Sequence, residues 1–356
     1  MYEGELYKKV AVSTRVRLAR NFQDYPFPNR LKDVEAAREM VRLVSAELMR
    51  AEEFRLYDMS KLTSEDAAYL IERNLISQDL LKHREIAAAL VSLDESISVM
   101  INEEDHIREQ YFMKGCFLRR TYERISGIDD IIAECIPFAY DKELGYLTAC
   151  PTNLGTGLRA SVMLFLPALS RRGILRRLLP QFNRMGLTVR GTFGEGSNTE
   201  GELFQVSNEV TLGKTEEEIL TTVQEVVDKI VEFELRERGR MLSEDEVVLT
   251  DSILRSYGAL TNCMTMDERE FMRRLVDVKL GVALGIFRGD IGMLDDLIVA
   301  MRPANINRRF ARILTEEEQN IYRAEYTGRV LRDMSLIGIE ERNELKKRSA
   351  FFMGGS

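Results

Sequence analysis

Ser13–Arg20, STRVRLAR, is the stretch from which the fold can be worked out. Charged and apolar side chains alternate in it with a period of two. On a strand, that spacing sends Arg15 and Arg17 to one face and Val16 and Leu18 to the other. Two like charges side by side repel unless an anion joins them. The segment therefore reads either as a solvated edge strand or as a strand whose polar face receives a polyanion.

Working outward, further strand-like runs cover Ala88–Leu93, Ile97–Asn102, Gly145–Ala149, Leu187–Thr192 and Leu203–Leu212. Helical periodicity marks Asp33–Glu53, with Asp33 as an N-cap, and also Ser64–Arg73, Ala160–Gly173 and Thr215–Arg240. Strands separated by long helices predict an α+β domain over roughly the first 240 residues. After Gly239 the strand signal fades. Amphipathic patterns at Glu244–Ser256, Met266–Leu284, Ile291–Met301 and Thr315–Leu331 predict a separate all-helical domain. Ser243–Glu246 has the spacing of a capping box at its start, and Phe351–Ser356 reads as a frayed tail.

The chain has 356 residues, with 50 basic and 58 acidic side chains and a formal charge of −8. This balance argues against nonspecific nucleic-acid binding while leaving room for local basic pockets. No apolar run reaches the length of a membrane span, and MYEGELYKKVAVSTRVR holds no signal-peptide core. Cys116, Cys135, Cys150 and Cys263 are widely spaced, so they read as free thiols rather than a disulfide frame or a zinc site. With His83 and His106 the only histidines, a histidine-rich metal centre is not expected. These features together predict a cytoplasmic protein.

Three more segments carry chemistry. Asn102–Arg108, NEEDHIR, places three consecutive carboxylates directly after an apolar strand, either as an exposed acidic turn or as a site at a strand end. Cys150–Ser161, CPTNLGTGLRAS, sets a thiol, a turn with Gly155 and Gly157, and Arg159 in one short run. The glycines would let backbone approach a ligand, and Arg159 offers a planar fork of donors to phosphate oxygens. A structural cysteine in a tight turn is the alternative. Thr188–Ser197, TVRGTFGEGS, holds Arg190 and Glu195 but matches neither a dinucleotide fingerprint nor a P-loop. Five arginines (Arg15, Arg17, Arg108, Arg159 and Arg190) could neutralise a nucleoside triphosphate without any Walker motif.

STRVRLARN, NEEDHIR, CPTNLGTGLRAS and VRGTFGEGS, in this order, resemble the catalytic domain of the phosphagen (guanidino) kinases. YGALTNC and GYLTACPTN extend the similarity, and the chain is more similar still to the bacterial protein-arginine kinases of the McsB type. The resemblance implies an antiparallel sheet flanked by helices over residues 12–240, then an all-helical C-terminal domain over 243–350. It implies ATP and Mg²⁺ as cofactors and arginine side chains of proteins as acceptors. Glu104 and Glu195 would hold the guanidinium, with Glu104 as base, and Cys150 would act as a positioning charge among cations. The five arginines would grip the phosphates. Ser13, Thr14, Val16, Ala160, Ser161, Val162, Met163, Gly191, Thr192, Phe193 and Gly194 would complete the nucleotide site, and Glu103 and Asp105 would shape the turn or the hydration of Mg²⁺. The implied partners are proteins with exposed arginine, a zinc-binding activator protein, a Clp-type ATPase and protease, and a second copy bound through the C-terminal domain.

Phosphagen kinases of free amino acids carry a helical domain before the first arginine motif, whereas only a dozen residues precede Ser13 here. This difference favours a protein-borne arginine. A kinase of a small free guanidine and a non-catalytic adaptor remain the alternatives. Two positions depart from the family pattern. Asn74 stands where a nucleotide-contacting histidine is expected, and Gln319 and Asn320 replace the leading Arg and Asp of the RDxxRA motif that binds phosphoarginine, leaving Arg323 and Ala324. Weak or absent phosphoarginine sensing is the expectation.

Overall fold

The structure, a computed structural model, describes residues 5–191 and 201–338. The short helix α1 (Glu5–Lys8) leads into β1 (Ala11–Arg20), which carries the STRVRLAR run. Helix α2 (Val34–Ala51) starts where Asp33 accepts hydrogen bonds from the Glu35 and Ala36 amides at 3.0 and 3.1 Å. Its Ala37, Met40, Val44 and Leu48 form the buried stripe expected of a helix lying on a sheet. There follow β2 (Phe54–Asp58), α3 (Ser64–Glu72), β3 (Ala88–Ser92), β4 (Ile97–Ile101), β5 (Ile107–Lys114) and α4 (Leu118–Cys135). The sequence reading does not anticipate α4; its buried Ile125, Ile128 and Ile132 close the core under β1 and β5.

A small hairpin, β6 (Tyr140–Asp141) with β7 (Gly145–Tyr146), precedes β8 (Leu158–Phe165), α5 (Pro167–Arg171), α6 (Ile174–Arg184), β9 (Leu187–Gly191), β10 (Leu203–Asn208) and α7 (Glu216–Glu244). The helix expected over Ala160–Gly173 is instead β8 followed by α5. Ala160, Val162 and Leu164 are buried in the helix-covered core, alternating with Arg159, Ser161 and Met163, and Pro167 begins the helix only afterwards. The sheet order is β2-β3-β4-β5-β1-β8-β10-β9, antiparallel throughout. Helices α2, α4 and α7 pack on one face of this sheet.

Beyond it run α8 (Glu246–Asn262), α9 (Glu268–Ala283), β11 (Phe287–Arg288), α10 (Ile291–Ala300), α11 (Pro303–Phe310), α12 (Glu316–Leu331) and β12 (Ser335–Leu336). The architecture is thus α+β, with a mostly helical C-terminal part. The capping box read at Ser243 is not formed. Helix α7 continues through Ser243, whose hydroxyl donates to the Arg240 carbonyl, and the break falls at Asp245.

Only the middle of the other sheet face stays polar. One end is covered by a cluster with Leu70, Leu75, Leu80 and Met100, and the other by the helical part through Phe165 and Leu203. The two covers are tied together by Glu72 at the end of α3. Its carboxylate accepts from the Ala304 and Asn305 amides at the start of α11, each at 3.0 Å, and Arg302 donates to the Glu72 carbonyl. Glu72 therefore caps a helix of the C-terminal helical part. Replacing Glu72 with Ala is expected to destabilise the protein by about 1–2 kcal/mol, the usual cost of a lost cap, measured by urea unfolding.

Candidate active site

Strand alternation brings the predicted arginines together. Arg108 on β5, Arg15 and Arg17 on β1, Arg159 on β8 and Arg190 on β9 share the polar face of the sheet. Arg17 lies directly opposite Arg159 in the β1–β8 register, an arrangement that is unfavourable without a counter-charge. The Nε atoms of both residues are buried without a hydrogen-bond partner. Burial, then the neighbouring Arg108 and Arg159, lowers the Arg15 pKa to about 10, and burial followed by Arg15 holds Arg17 well below the usual value. Burial and Arg190 also lower Arg159.

Neutral groups hold these cations in place. Gln205 accepts from Arg15 Nη2 at 2.9 Å, and Ser207 accepts from Arg159 Nη2 at 3.2 Å. Two carboxylates approach the cluster. Glu103 accepts from Arg108 through both oxygens at 2.8 Å, and Glu209 lies 3.8 Å from Arg190. Orphaned, mutually repelling donors on an open polar face fit a polyphosphate, whose oxygens would satisfy them.

The acidic turn separates three adjacent carboxylates by environment. Glu103 is buried and also takes a hydrogen bond from Ser77. Asp105 is buried, and its Oδ1 accepts from Asn21 Nδ2 and from the Ala149 amide, both at 2.6 Å. Glu104 alone is exposed. Partial burial, followed by Asp105 and Glu103, pushes its pKa up. Glu103 and Asp105 therefore shape the turn. Asp105 also joins the Glu104 turn to the segment carrying Cys150, because Ala149 immediately precedes the cysteine. Cys150 is half-buried, with Sγ 3.1 Å from Thr152 Oγ1.

Other predicted residues lie elsewhere. Val16, Ala160 and Val162 face the helix-covered core, and their strands' backbone groups pair with neighbouring strands. Thr14 is buried, donating to the Gly115 carbonyl and accepting from the Phe117 amide. These four are struts behind the site, because period-two alternation turns every second residue away from it. Ser161 is on the arginine face and accepts from Gln205 Nε2. Met163 packs toward the helical part, Ser13 opens onto the cleft between the two parts, and Gly191 ends β9. Thr192, Phe193, Gly194 and Glu195 lie outside the described residues.

The glycine-rich turn approaches protein rather than only ligand. A Cβ on Gly155, at φ +108°, would come within 2.6 Å of the Thr211 carbonyl, and one on Gly157, at φ +63°, within 2.5 Å of the Ala19 carbonyl. Asn74 has φ +58° just after α3, a left-handed position that asparagine tolerates better than most residues. The sequence reading overlooked Gln110 and Gln205. Gln110 donates to the Asn74 and Leu75 carbonyls, and Gln205 bridges Arg15 and Ser161. Both occupy the arginine face, so a search for polar residues in register with Arg15 and Arg17 would have found them.

A family model described as ATP:guanido phosphotransferase, C-terminal catalytic domain, matches residues 35–237, and one described as Protein-arginine kinase McsB C-terminal domain matches 246–345. The protein-arginine kinase of Caldanaerobacter subterraneus subsp. tengcongensis is 39% identical over 327 residues, covering 90% of this chain and 96% of that protein. The chain belongs to the protein-arginine kinase family. The Geobacillus stearothermophilus member of this family is 40% identical over 321 residues, 88% of each chain. Among solved structures, a lombricine kinase aligns with TM-score 0.57 and 27% identity over 64% of this chain and 67% of that one. The duplicated taurocyamine kinase of Schistosoma mansoni with bound transition-state-analogue components aligns with TM-score 0.60 and 26% identity over 76% and 40%. These likenesses place the chain's catalytic fold in the guanidino-kinase superfamily to which the protein-arginine kinases belong.

His106, in the acidic turn, has a structural role. Its Nδ1 accepts from the Phe22 amide at 3.1 Å and its Nε2 lies 2.9 Å from the Pro26 carbonyl, so the neutral tautomer with the proton on Nε2 satisfies both. Burial lowers its pKa from 6.5 to about 4. Between those values the unfolded chain binds a proton that the folded one refuses. This contribution is fully present above pH 6.5 and is lost as pH falls toward 4. His106 alone should then remove roughly 3 kcal/mol of stability. Comparing the unfolding free energies of wild type and His106→Asn at pH 7 and pH 4.5 should show a smaller drop in the variant.

Proposed function

We propose that this chain transfers the γ-phosphoryl group of ATP, as its Mg²⁺ complex, to arginine side chains of proteins, with Glu104 as base and Cys150 as a positioning charge. The observation carrying this reading is the opposed Arg17 and Arg159, whose Nε atoms have no hydrogen-bond partner, among five arginines on one sheet face, with the Glu104 and Cys150 loops tied together at its rim. Among the described residues no cluster of three or more His, Cys, Asp or Glu side chains could hold a metal, so Mg²⁺ in this reading arrives on the nucleotide. ATP supplies the phosphoryl group, and Mg²⁺ neutralises phosphate charge. The chain's own residues do the rest.

The acceptor's pKa explains the choice of residues. Deprotonating a guanidinium near pH 7 costs roughly 7 kcal/mol, while general-base help contributes about 10²- to 10⁴-fold. Orientation can contribute about 7–11 kcal/mol. Carboxylates that hold the planar cation by paired hydrogen bonds therefore matter more as a jig than as a sink for its proton. Glu104 and Glu195 have these roles, and Arg15, Arg17, Arg108, Arg159 and Arg190 hold the phosphates and screen the charge of the transferring group. In this reading residues 12–240 form the catalytic unit and 243–350 the helical one. Family membership also supports the remaining associations: a zinc-binding activator protein, delivery of marked proteins to a Clp-type ATPase and protease, and a homodimer through the helical unit. No described helix is long and apolar enough to cross a membrane.

The test is incubation with ATP, Mg²⁺ and an unfolded arginine-rich protein, followed by mass spectrometry for acid-labile phosphate on arginine. Glu104→Gln should lower the rate by about 10²- to 10⁴-fold. Because Glu104 must be ionised and its pKa is raised, wild-type kcat/KM should fall with decreasing pH before ordinary carboxylates titrate. The variant should lack that limb. Free L-arginine turning over as well as protein would favour the small-guanidine reading, and absence of product above Glu104→Gln would favour the adaptor.

The helical unit supports the expectation about phosphoarginine sensing. Arg323 is 1% exposed and donates to the Met301 and Met266 carbonyls at 3.0 Å and to Asn320 Oδ1 at 2.6 Å. Gln319 donates to Asn307 Oδ1. These donors serve the fold. Micromolar free phosphoarginine should leave the initial rate of the kinase assay unchanged, and stimulation would overturn this.

A further inference from the structure

Arg20, the third arginine of STRVRLAR, is 3% exposed and points away from the other two. Its Nε and Nη2 donate to Asp129 Oδ2 on α4, at 3.1 and 2.8 Å. Its Nη1 donates to the Ala19 carbonyl at 3.0 Å and to the Thr156 carbonyl at 2.9 Å. The guanidinium carbon lies 3.6 Å from the centre of the Tyr146 ring and 5.8 Å from that of Phe138. Tyr146 and Thr156 bracket the segment carrying Cys150. The Tyr146 amide donates to the Gly155 carbonyl, so the bracket closes into a loop. Arg20 thus grips both ends of that loop, one by a cation–π stack and the other by a hydrogen bond.

The grip has its own anchor. Glu109 on β5 is completely buried beside Asp129, and neither of its oxygens meets a hydrogen-bond donor; nor does Asp129 Oδ1. Burial, then the negative Asp129, pushes Glu109 well above the carboxylate range. Glu109 thus lies within electrostatic reach of both Asp129 and Arg20. Glu109 also adjoins Arg108 in sequence, so this anchor sits on the back of the strand that carries a phosphate-facing arginine. Gly157 completes the fit, since a Cβ there would lie 2.6 Å from Arg20 Nη1.

We propose that Arg20 is a positioning residue for phosphoryl transfer: held by Asp129, its guanidinium fixes the seat of the 146–156 loop and so the placement of Cys150 against the acceptor. Arg20 touches neither nucleotide nor acceptor and acts only through the loop. The inference rests on the assignment of Cys150 to the acceptor site. It predicts a separation of kinetic constants, because the arginines facing the phosphates lie on the other side of the sheet.

The experiment compares Arg20→Met, Arg20→Lys, Tyr146→Leu and Cys150→Ala with wild type, using steady-state phosphorylation of an unfolded protein. Circular dichroism and thermal midpoint report folding. Arg20→Met should lower kcat by about 100-fold, the scale of a 1 Å misplacement. KM for ATP should stay within about twofold, since uniform nucleotide binding is untouched. Arg20→Lys should recover part of the loss, and millimolar guanidinium should raise kcat of Arg20→Met without changing wild type. Should Arg20→Met fail to fold, Tyr146→Leu tests the same grip from the loop side and should show the same kcat-selective loss. The proposal is overturned if the folded Arg20 variant, or Tyr146→Leu in its place, keeps wild-type kcat, or if KM for ATP rises in step with the loss. Cys150→Ala separates the layers. Unchanged kcat there removes the acceptor-site assignment and this proposal with it. A fall there beside an unaffected Arg20 variant removes the role of Arg20 alone.

Discussion

Arg17 and Arg159 face each other across neighbouring strands, and much of the catalytic domain is arranged to tolerate that contact. Two cations about 5–10 Å apart, at an effective dielectric constant of about 20, repel by roughly 2–3 kcal/mol. Arg15, Arg108 and Arg190 on the same face add to this. A strand that only had to be stable would not concentrate charge in this way. The sheet bears it because its opposite face is deeply apolar, with Val16, Leu18, Ala160, Val162 and Val206 buried under α2, α4 and α7. The repulsion is therefore available to be relieved by an incoming polyanion.

The neutral partners of these arginines follow from the same constraint. A carboxylate beside every guanidinium would quench the field that attracts phosphate. Gln205 and Ser207 hold Arg15 and Arg159 by hydrogen bonds that leave their charge intact. Two carboxylates depart from this pattern: Glu209 lies 3.8 Å from Arg190, and Glu103 accepts from Arg108 through both oxygens. Glu103 also receives Ser77, so it links the arginine face to the segment after α3. Glu72, at the end of the same helix, caps α11 of the helical part. A run of polar contacts thus connects the helical part to Arg108 on the arginine face, and each contact in it has a fixed partner.

How much of this the sequence disclosed depended on which interactions are local. The alternation in STRVRLAR gave the face of β1 correctly, since period-two geometry needs no tertiary information. The cap of α2 at Asp33 was readable for the same reason, whereas the supposed cap at Ser243 was not used, because α7 continues through it. The error over Ala160–Gly173 arose where a buried strand and a short helix abut, and an apolar run in such a place carries no clear period. Gly155 and Gly157 were correctly singled out but given an incomplete reason. Their neighbours, Thr211 and Ala19, are distant in sequence, so the crowding that excludes a side chain could not be inferred from the turn itself. Arg20 received no separate reading in the sequence. Its opposite orientation follows from parity, but its partners on α4 and the 146–156 loop are visible only in the fold.

The acidic turn shows how three identical charges acquire different work. Glu103, Glu104 and Asp105 are adjacent, so composition cannot distinguish them. Glu103 faces Arg108, and Asp105 meets the Asn21 amide and the Ala149 N–H, so each spends its charge on a fixed partner. Glu104 has no such partner, and partial burial, then its two neighbours, disfavour its ionised form. The same two groups that hold the turn rigid thereby add to the effect of burial in raising the proton affinity of the one between them. Rigidity and basicity, which a lone surface glutamate would lack, come from one arrangement. A cationic acceptor entering beside Glu104 would reverse the balance, favouring the carboxylate as it arrives and drawing on the repulsion already built into the turn.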